Sequence, residues 1–301
     1  MGTSKQRAKR KKPMVLSTGR PPLANRRAPK FSSRATRACI RSYHQIQKQL
    51  AQATAEGDVA RVESLQAQLE QQGGLKLYQQ ASIIGQSNER GGDSSKVLLD
   101  FLQPVSGSSD GNYRGQLRML EVGALSTNNA CSRSNLFDVE RIDLNSQEQG
   151  ILQQDFMKRP LPEGDEEAFD VLSLSLVLNY VPNPASRGDM LRRTTLFLKS
   201  SMKGPHPKTM FPCLFLVLPA PCLLNSRYLN KSRLAHLMHS FGYTLFSWRE
   251  SSKLIYSLWT YEASAARVDE VFPKVQVNPG ASRNNFAIVL EKDNHDVEHR
   301  P

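Results

Sequence analysis

Two apolar runs joined through a glycine-bearing turn constrain this chain more than any other feature. Leu117-Arg118-Met119-Leu120 ends on Glu121 and is followed at once by Val122-Gly123-Ala124-Leu125-Ser126; Leu136-Phe137-Asp138-Val139-Glu140-Arg141-Ile142 ends on Asp143. They read as two strands of an open α/β sheet, each with an acidic residue at its C-terminal edge, where such sheets bind ligands. Glu121 and Asp143 are therefore candidate ligand contacts. Gly123 lets the backbone approach a ligand where a Cβ would be in the way. Asp143 stands twenty residues after Gly123, about the spacing at which a carboxylate holds both hydroxyls of a ribose. The second and third glycines of the dinucleotide fingerprint are absent, which argues against a pyrophosphate on a helix N-terminus. What is left is a nucleoside ligand without phosphates, of which S-adenosylmethionine is the common one. A βαβ unit with an ordinary turn glycine fits the same residues.

Charge is placed unevenly. Fourteen Lys and Arg precede Glu56 with no acidic residue among them, leaving 26 of the 40 basic residues against all 28 acidic ones in the rest of the chain. A near-neutral globule carrying a basic arm suits a polyanion, through counterion release from phosphates; a solubilising tail is the plainer reading. Residues 1–34 are rich in Lys, Arg, Pro and Ser with few large apolar residues, the composition of a disordered segment. Within them Lys9-Arg10-Lys11-Lys12 is a basic cluster of the kind read by nuclear import or laid against nucleic acid. The N-terminus has charge but no apolar core segment, so no secretory signal is expected. The longest apolar run, Phe211 to Leu224, is interrupted by three prolines and is too short for a bilayer. Cys39, Cys131, Cys213 and Cys222 form no CxxC pair, which suits a reducing compartment such as cytosol or nucleus.

Periodicity supplies the order of elements. Ile40, Tyr43, Ile46 and Leu50, then Val62, Leu65 and Leu69, recur at helical spacing on either side of Gly57-Asp58, predicting a helical hairpin from Ala35 to Gln72 that serves as a packing arm without chemistry. Another helix spans Leu75–Ile84. Asp93 or Ser94 caps a further one, Lys96–Leu102, which Pro104 is expected to stop. Residues 35–104 thus form a helical N-terminal region, 105–291 the ligand-binding domain, and 292–301 a tail. Inside that domain, Ile151–Phe156 is a short strand or strand edge, Phe169–Leu176 the strongest strand, Arg187–Phe197 a helix, Cys213–Leu218 a fully buried strand and Lys231–Phe241 a helix ended by Gly242. Lys253–Tyr261 and Asn285–Leu290 read as two late strands. With no helix between them, that last pair should be antiparallel.

Position then nominates chemistry. Asp155 and Phe156 are candidates for adenine, the carboxylate accepting from its amino group and the ring lying against it; Asp155 as a cap residue fits equally. Asn179-Tyr180 follows the strongest strand, which places both at the ligand-binding edge. Asn can bond a base edge and Tyr can stack on a base, while local backbone satisfaction and core filling are the plainer roles. Arg227 and Tyr228, after the next strand, would face the same cleft, one binding phosphate and the other stacking; a surface ion pair is the plainer role for Arg227. His236 and His239 resemble half a metal site that nothing completes, so they read as helix-surface or packing residues.

Six segments in order, GQSNERGGDSSKVL (residues 85–98), LEVGALSTNNACS (120–132), IDLNSQ (142–147), QQDFMKRPLP (153–162), FDVLSLSLVLNYVPNPASRGDML (169–191) and LPAPCLLNSRY (218–228), together resemble the fungal 25S rRNA adenine-N1 methyltransferase family. The resemblance runs from about Leu75 to Leu290. It implies a Rossmann-like class I methyltransferase: an α/β domain with a mostly parallel seven-stranded sheet and an antiparallel last strand. It further implies S-adenosylmethionine as cofactor, held at Gly123 and Asp143, and a nucleolar enzyme making N1-methyladenosine in large-subunit rRNA within a pre-ribosomal particle. A related animal protein is a non-catalytic S-adenosylmethionine sensor of the TOR kinase pathway, so a shared pocket leaves a sensing interaction protein as the alternative.

Overall fold

The computed structural model describes residues 32–85, 93–106, 116–146, 148–200, 210–267 and 270–292. The basic arm before Ser32, with Lys9, Arg10, Lys11 and Lys12, lies outside the described residues, as do most of the expected linker before the sheet and the end of the tail.

Strands β1 (Leu117–Val122), β2 (Phe137–Asp143), β3 (Leu152–Gln153), β4 (Val171–Ser175), β5 (Cys213–Pro219), β6 (Tyr243–Glu250) and β7 (Leu254–Tyr261) build one sheet in the order β3-β2-β1-β4-β5-β7-β6. The first five strands in that order are parallel; β7 is antiparallel to both its neighbours. Chain order reverses between β1 and β4, so the C-terminal ends of these two strands flank the crevice where ligands bind in open sheets.

Alternation along the strands sorts the core into two layers, one on each face. Leu120, Val122, Leu172, Leu174, Leu214 and Leu216 meet Met190 and Leu191 of helix α6 (Pro184–Thr194) and Leu234, Leu237 and Met238 of helix α8 (Lys231–Ser240). Leu117, Met119, Val171, Phe215 and Val217 meet Leu98 and Leu102 of helix α4 (Ser95–Ser106) and Cys131 of the short helix α5 (Ala130–Arg133). Strands covered on both sides read as unbroken apolar runs, which is why β4 and β5 stand out in the sequence. Ahead of the sheet, helices α1 (Ser33–Glu56) and α2 (Val59–Gln71) form the expected hairpin, turning at Gly57, and α3 (Gly74–Gly85) follows. The hairpin has a small core of its own in Ile46, Ala53 and Leu65.

Two expectations are corrected. Helix α4 runs past Pro104 to Ser106, because a proline in the last turn forfeits little of the hydrogen-bond ladder. Asn285–Leu290 is not a strand; the antiparallel end of the sheet is β7 with β6, which carried no clear strand signal. The 285–290 segment is apolar because it packs. Ala287, Ile288 and Leu290 are buried, and the backbone is claimed elsewhere: Val289 N–H donates to Pro184 O, and the Arg187 guanidinium donates to Ala287 O. Gly188 permits that passage, since a Cβ there would stand 2.0 Å from Val289 O.

Candidate ligand and substrate pocket

At the crevice lies a cavity of about 400 Å³, within the usual range for a small-molecule site. One side is built by the ends of the central strands: Gly123 and Leu125 after β1, Asp143, Leu144 and Asn145 at β2, and Ser175, Leu176 and Val177 after β4. Asp155, Phe156 and Met157 close a second side, and Tyr180, Val181 and Met190 a third. The remaining wall comes from Tyr43, His44 and Gln47 of α1 and Leu75 of α3.

Gly123 has φ 75°, a conformation costing an L side chain about 1–2 kcal/mol, and its N–H donates to Ile142 O at 2.8 Å. This bond sets the turn directly beside Asp143. A Cβ on Gly123 would meet Val177 Cγ2 at 2.5 Å, so the glycine makes room for a neighbouring wall as well as for a ligand. Gly123→Ala should therefore lower unfolding stability by roughly 1–2 kcal/mol, read by urea denaturation; an unchanged midpoint would mean that the turn relaxes freely. Leu176 follows β4 with φ 59°, rare for a bulky residue. Its N–H donates to Val217 O at 3.0 Å, which holds that turn against β5.

Asp143 is half-buried. Its Oδ1 accepts from Asn145 N–H at 2.7 Å, and Oδ2 meets no protein donor among the described residues. Burial pushes its carboxyl above the usual carboxylate range, and the Asn145 hydrogen bond opposes that shift. Asp155 is a cap, its Oδ1 accepting from Met157 N–H at 2.9 Å, yet it also lines the cavity. Phe156 is buried against Phe197, with ring centroids 5.1 Å apart, and reaches the cavity from the core. Tyr180 lines the cavity. Its neighbour Asn179 does not, although Asn179 Oδ1 is buried without a hydrogen-bond partner among the described residues.

Three expected contacts fall elsewhere. Both Glu121 oxygens accept from Asn129 Nδ2, at 2.8 and 2.9 Å, and Arg141 Nε stands 4.0 Å away. Glu121 sits on the α4 face of β1 and fixes the turn that follows the strand; burial raises its pKa first of all, with Asn129 and Arg141 opposing. Arg227 donates to Gly280 O, Ala281 O and Asn285 Oδ1, so its guanidinium anchors the 280–285 segment. Tyr228 has the Lys274 ammonium 4.6 Å over its ring. Neither Arg227 nor Tyr228 lines the cavity. His236 pairs with Glu270 at 2.8 Å on the helix surface.

The helical hairpin, expected to be inert, supplies the contribution that sequence reasoning missed. The His44 ring stacks on Tyr180 at a centroid distance of 4.4 Å and an interplanar angle of 23°, and burial pushes the His44 pKa down to about 4. Adjacent aromatic residues on an amphipathic helix were the available signal; which domain they dock against is a tertiary fact. Below the pocket, the buried Arg187 donates from Nε to Val181 O at 2.8 Å and from Nη1 to Ala287 O at 2.7 Å, tying the loop after Tyr180 to the C-terminal segment.

The pocket fits an adenosyl ligand. A carboxylate whose Oδ2 meets no protein donor among the described residues closes β2, a positive-φ glycine lies beside it, and largely apolar residues line the rest of the cavity. Comparison with known proteins agrees in kind. Residues 63–288 match the family described as 25S rRNA (adenine(2142)-N(1))-methyltransferase, Bmt2. The chain is 40% identical over 224 residues to a 25S rRNA (adenine(2142)-N(1))-methyltransferase of Saccharomyces cerevisiae, a match covering 74% of this chain and 62% of that protein. It is 38% identical over 254 residues to a 25S rRNA adenine-N(1) methyltransferase of Schizosaccharomyces pombe, covering 83% and 89%. The chain thus spans less than two thirds of the S. cerevisiae relative.

Proposed function

The chain belongs to the 25S rRNA adenine-N1 methyltransferase family, and from that membership we propose that it transfers a methyl group from S-adenosylmethionine to N1 of an adenine in large-subunit rRNA. The carrying observation is one cavity lined by Gly123 and Asp143 on one side and by Tyr180 on another, cofactor side facing base side. Bound there, S-adenosylmethionine supplies a methyl group on a positively charged sulfur. Asp143 holds the ribose, Gly123 leaves room for the chain beside it, and Asp155 and Phe156 take the adenine of the cofactor. Positioning supplies most of the rate in such a displacement.

The acceptor N1 carries an in-plane lone pair on the Watson–Crick edge, so no base is needed to unmask it, but a paired adenine cannot react. The target must be unpaired or flipped, then held by stacking and edge hydrogen bonds. Tyr180 lines the cavity, which supports a stacking role, and Asn179 Oδ1 is a buried acceptor without a hydrogen-bond partner among the described residues. The substrate in the cell is a pre-ribosomal particle, and the location is the nucleolus.

The deciding assay is tritiated methyl transfer to unmodified large-subunit rRNA. Wild type should be active, and Tyr180→Ala should lose roughly 1–3 kcal/mol of transition-state stabilisation with cofactor affinity nearly intact. Wild type and Tyr180→Ala equally active would remove Tyr180 from the site. An inactive wild type that still binds S-adenosylmethionine would turn the reading to a sensor.

A further inference from the structure

Helix α1 carries Arg34, Arg37, Arg41 and Lys48 and no acidic residue before Glu56. Arg34, Arg41 and Lys48 recur every seventh residue, and seven residues return a helix to within about 20° of the same face. They make one stripe, about 21 Å long at 1.5 Å per residue. All three are exposed, and none of the ion pairs among the described residues engages them. His44 lies between Arg41 and Lys48 in sequence, about 60° round the helix from Arg41 at 100° per residue. It lines the cavity and stacks on Tyr180. The stripe therefore runs along the same helix that walls the pocket, beside the residue at the base-stacking end.

We propose that helix α1 is the RNA-docking surface of this protein: Arg34, Arg41 and Lys48 hold the phosphate backbone of the single-stranded rRNA segment whose adenine enters the cavity beside Tyr180. This rests on the reading of the chain as an rRNA methyltransferase. Charge complementarity names the occupant. A row of exposed cations without carboxylate partners among the described residues suits a polyanion, and the adjoining cavity suits a base displaced from its helix. The contacts are sequence-independent, so they set affinity and salt dependence and leave the choice of adenine to the pocket.

The test uses the full chain with three charges removed, Arg34→Gln, Arg41→Gln and Lys48→Gln together, since glutamine preserves helix propensity. A control removes the same net charge at other exposed sites, Lys96→Gln, Lys253→Gln and Arg267→Gln. Circular dichroism and calorimetry with S-adenosylmethionine check fold and pocket. Binding to a single-stranded rRNA fragment containing the target adenine is measured against salt. Each lost phosphate contact on a single strand removes about 0.7 from the slope of log K against log salt. The α1 variant should thus lose about 2 from that slope and show a KM for RNA raised roughly tenfold or more near physiological salt, with kcat and the modified position unchanged. The control should keep the wild-type slope. Equal slopes in the two triple variants, or an unchanged slope in the α1 variant, overturn the proposal. Failure of the function itself looks different: wild type would bind RNA with a salt slope and transfer no methyl group.

Discussion

Asp143→Ala should weaken S-adenosylmethionine binding by about 2–3 kcal/mol, because it removes a charge-assisted pair of hydrogen bonds to the ribose; that is roughly 30- to 150-fold in Kd. Asp143 closes β2 one position beyond Ile142, whose carbonyl receives the Gly123 and Ala124 N–H groups at 2.8 and 3.1 Å. The carboxylate is therefore fixed to the turn that would carry the ligand. Burial already raises its pKa, so desolvation of this carboxylate carries a cost that hydrogen bonds from a ribose would offset. Removing it should not destabilise the ligand-free protein, and this separates lost binding from lost folding. Calorimetry on wild type, Asp143→Ala and Asp143→Asn, each with an unfolding curve, makes the measurement. Undiminished affinity in the alanine variant would remove Asp143 from the site.

That Gly123 and Asp143 come together at one cavity was legible because the stretch is local. A strand, a glycine, a second strand and a carboxylate lie within 27 residues, from Leu117 to Asp143, and sheet topology brings such neighbours together without help. Asp155 shows the limit of that kind of reading: cap and pocket residue were both written into the same local sequence, and it is both. Glu121 had the same strand-edge signature as Asp143, but it stands one residue before the end of β1, where Asn129 and Arg141 take it, whereas Asp143 is the last residue of β2 and lines the cavity. Sequence shows that an acidic residue closes a strand without showing which neighbours claim it.

What stayed hidden depends on distant packing. Strand β6 is an edge strand whose pairing with β7 carries a register shift between Leu245 and Ser247, so its alternation is broken and its exposed positions, Thr244, Phe246, Arg249 and Glu250, mix polar and apolar. The 285–290 run looked like a strand because burial alone produces apolar runs; its backbone bonds go to Arg187 and Pro184 and, in a lone bridge at Leu290, to Phe272. Arg227 looked like a phosphate ligand because a guanidinium near a strand end suits one, yet three acceptors of the 280–285 segment occupy it. The hairpin looked inert because Tyr43 and His44 acquire meaning only once α1 lies across the end of β4.

That docking should be sensitive to acid. Burial moves the His44 pKa from 6.5 down to about 4, so the docked helix holds a neutral ring. Above pH 6.5 docked and undocked forms are both neutral, and this residue contributes no pH dependence. As pH falls below 6.5 the undocked form takes up a proton that the docked form refuses, and docking weakens. The loss is about 1.4 kcal/mol per pH unit down to the folded pKa, on the order of 3 kcal/mol in all and about 2 by pH 5. Tyr180 stacks on the ring and Tyr43 meets it edge-on at 5.9 Å; the carboxylates sharing the cavity are Asp143 and Asp155. Neither carboxylate keeps the His44 pKa up, because burial of the ring dominates and lowers it. The hairpin has a core of its own in Ile46, Ala53 and Leu65, separate from the two layers on the sheet, so loosening of α1 does not require the sheet to unfold. Hydrogen exchange of residues 33–56, corrected for the intrinsic pH dependence of exchange, should thus show protection in α1 falling between pH 7 and pH 5 while β4 and β5 keep theirs. His44→Phe retains an aromatic ring for Tyr180 and cannot titrate, so its α1 protection should stay flat across the same range. Equal loss in wild type and His44→Phe would assign the acid sensitivity to the carboxylates of the pocket and leave His44 as packing alone.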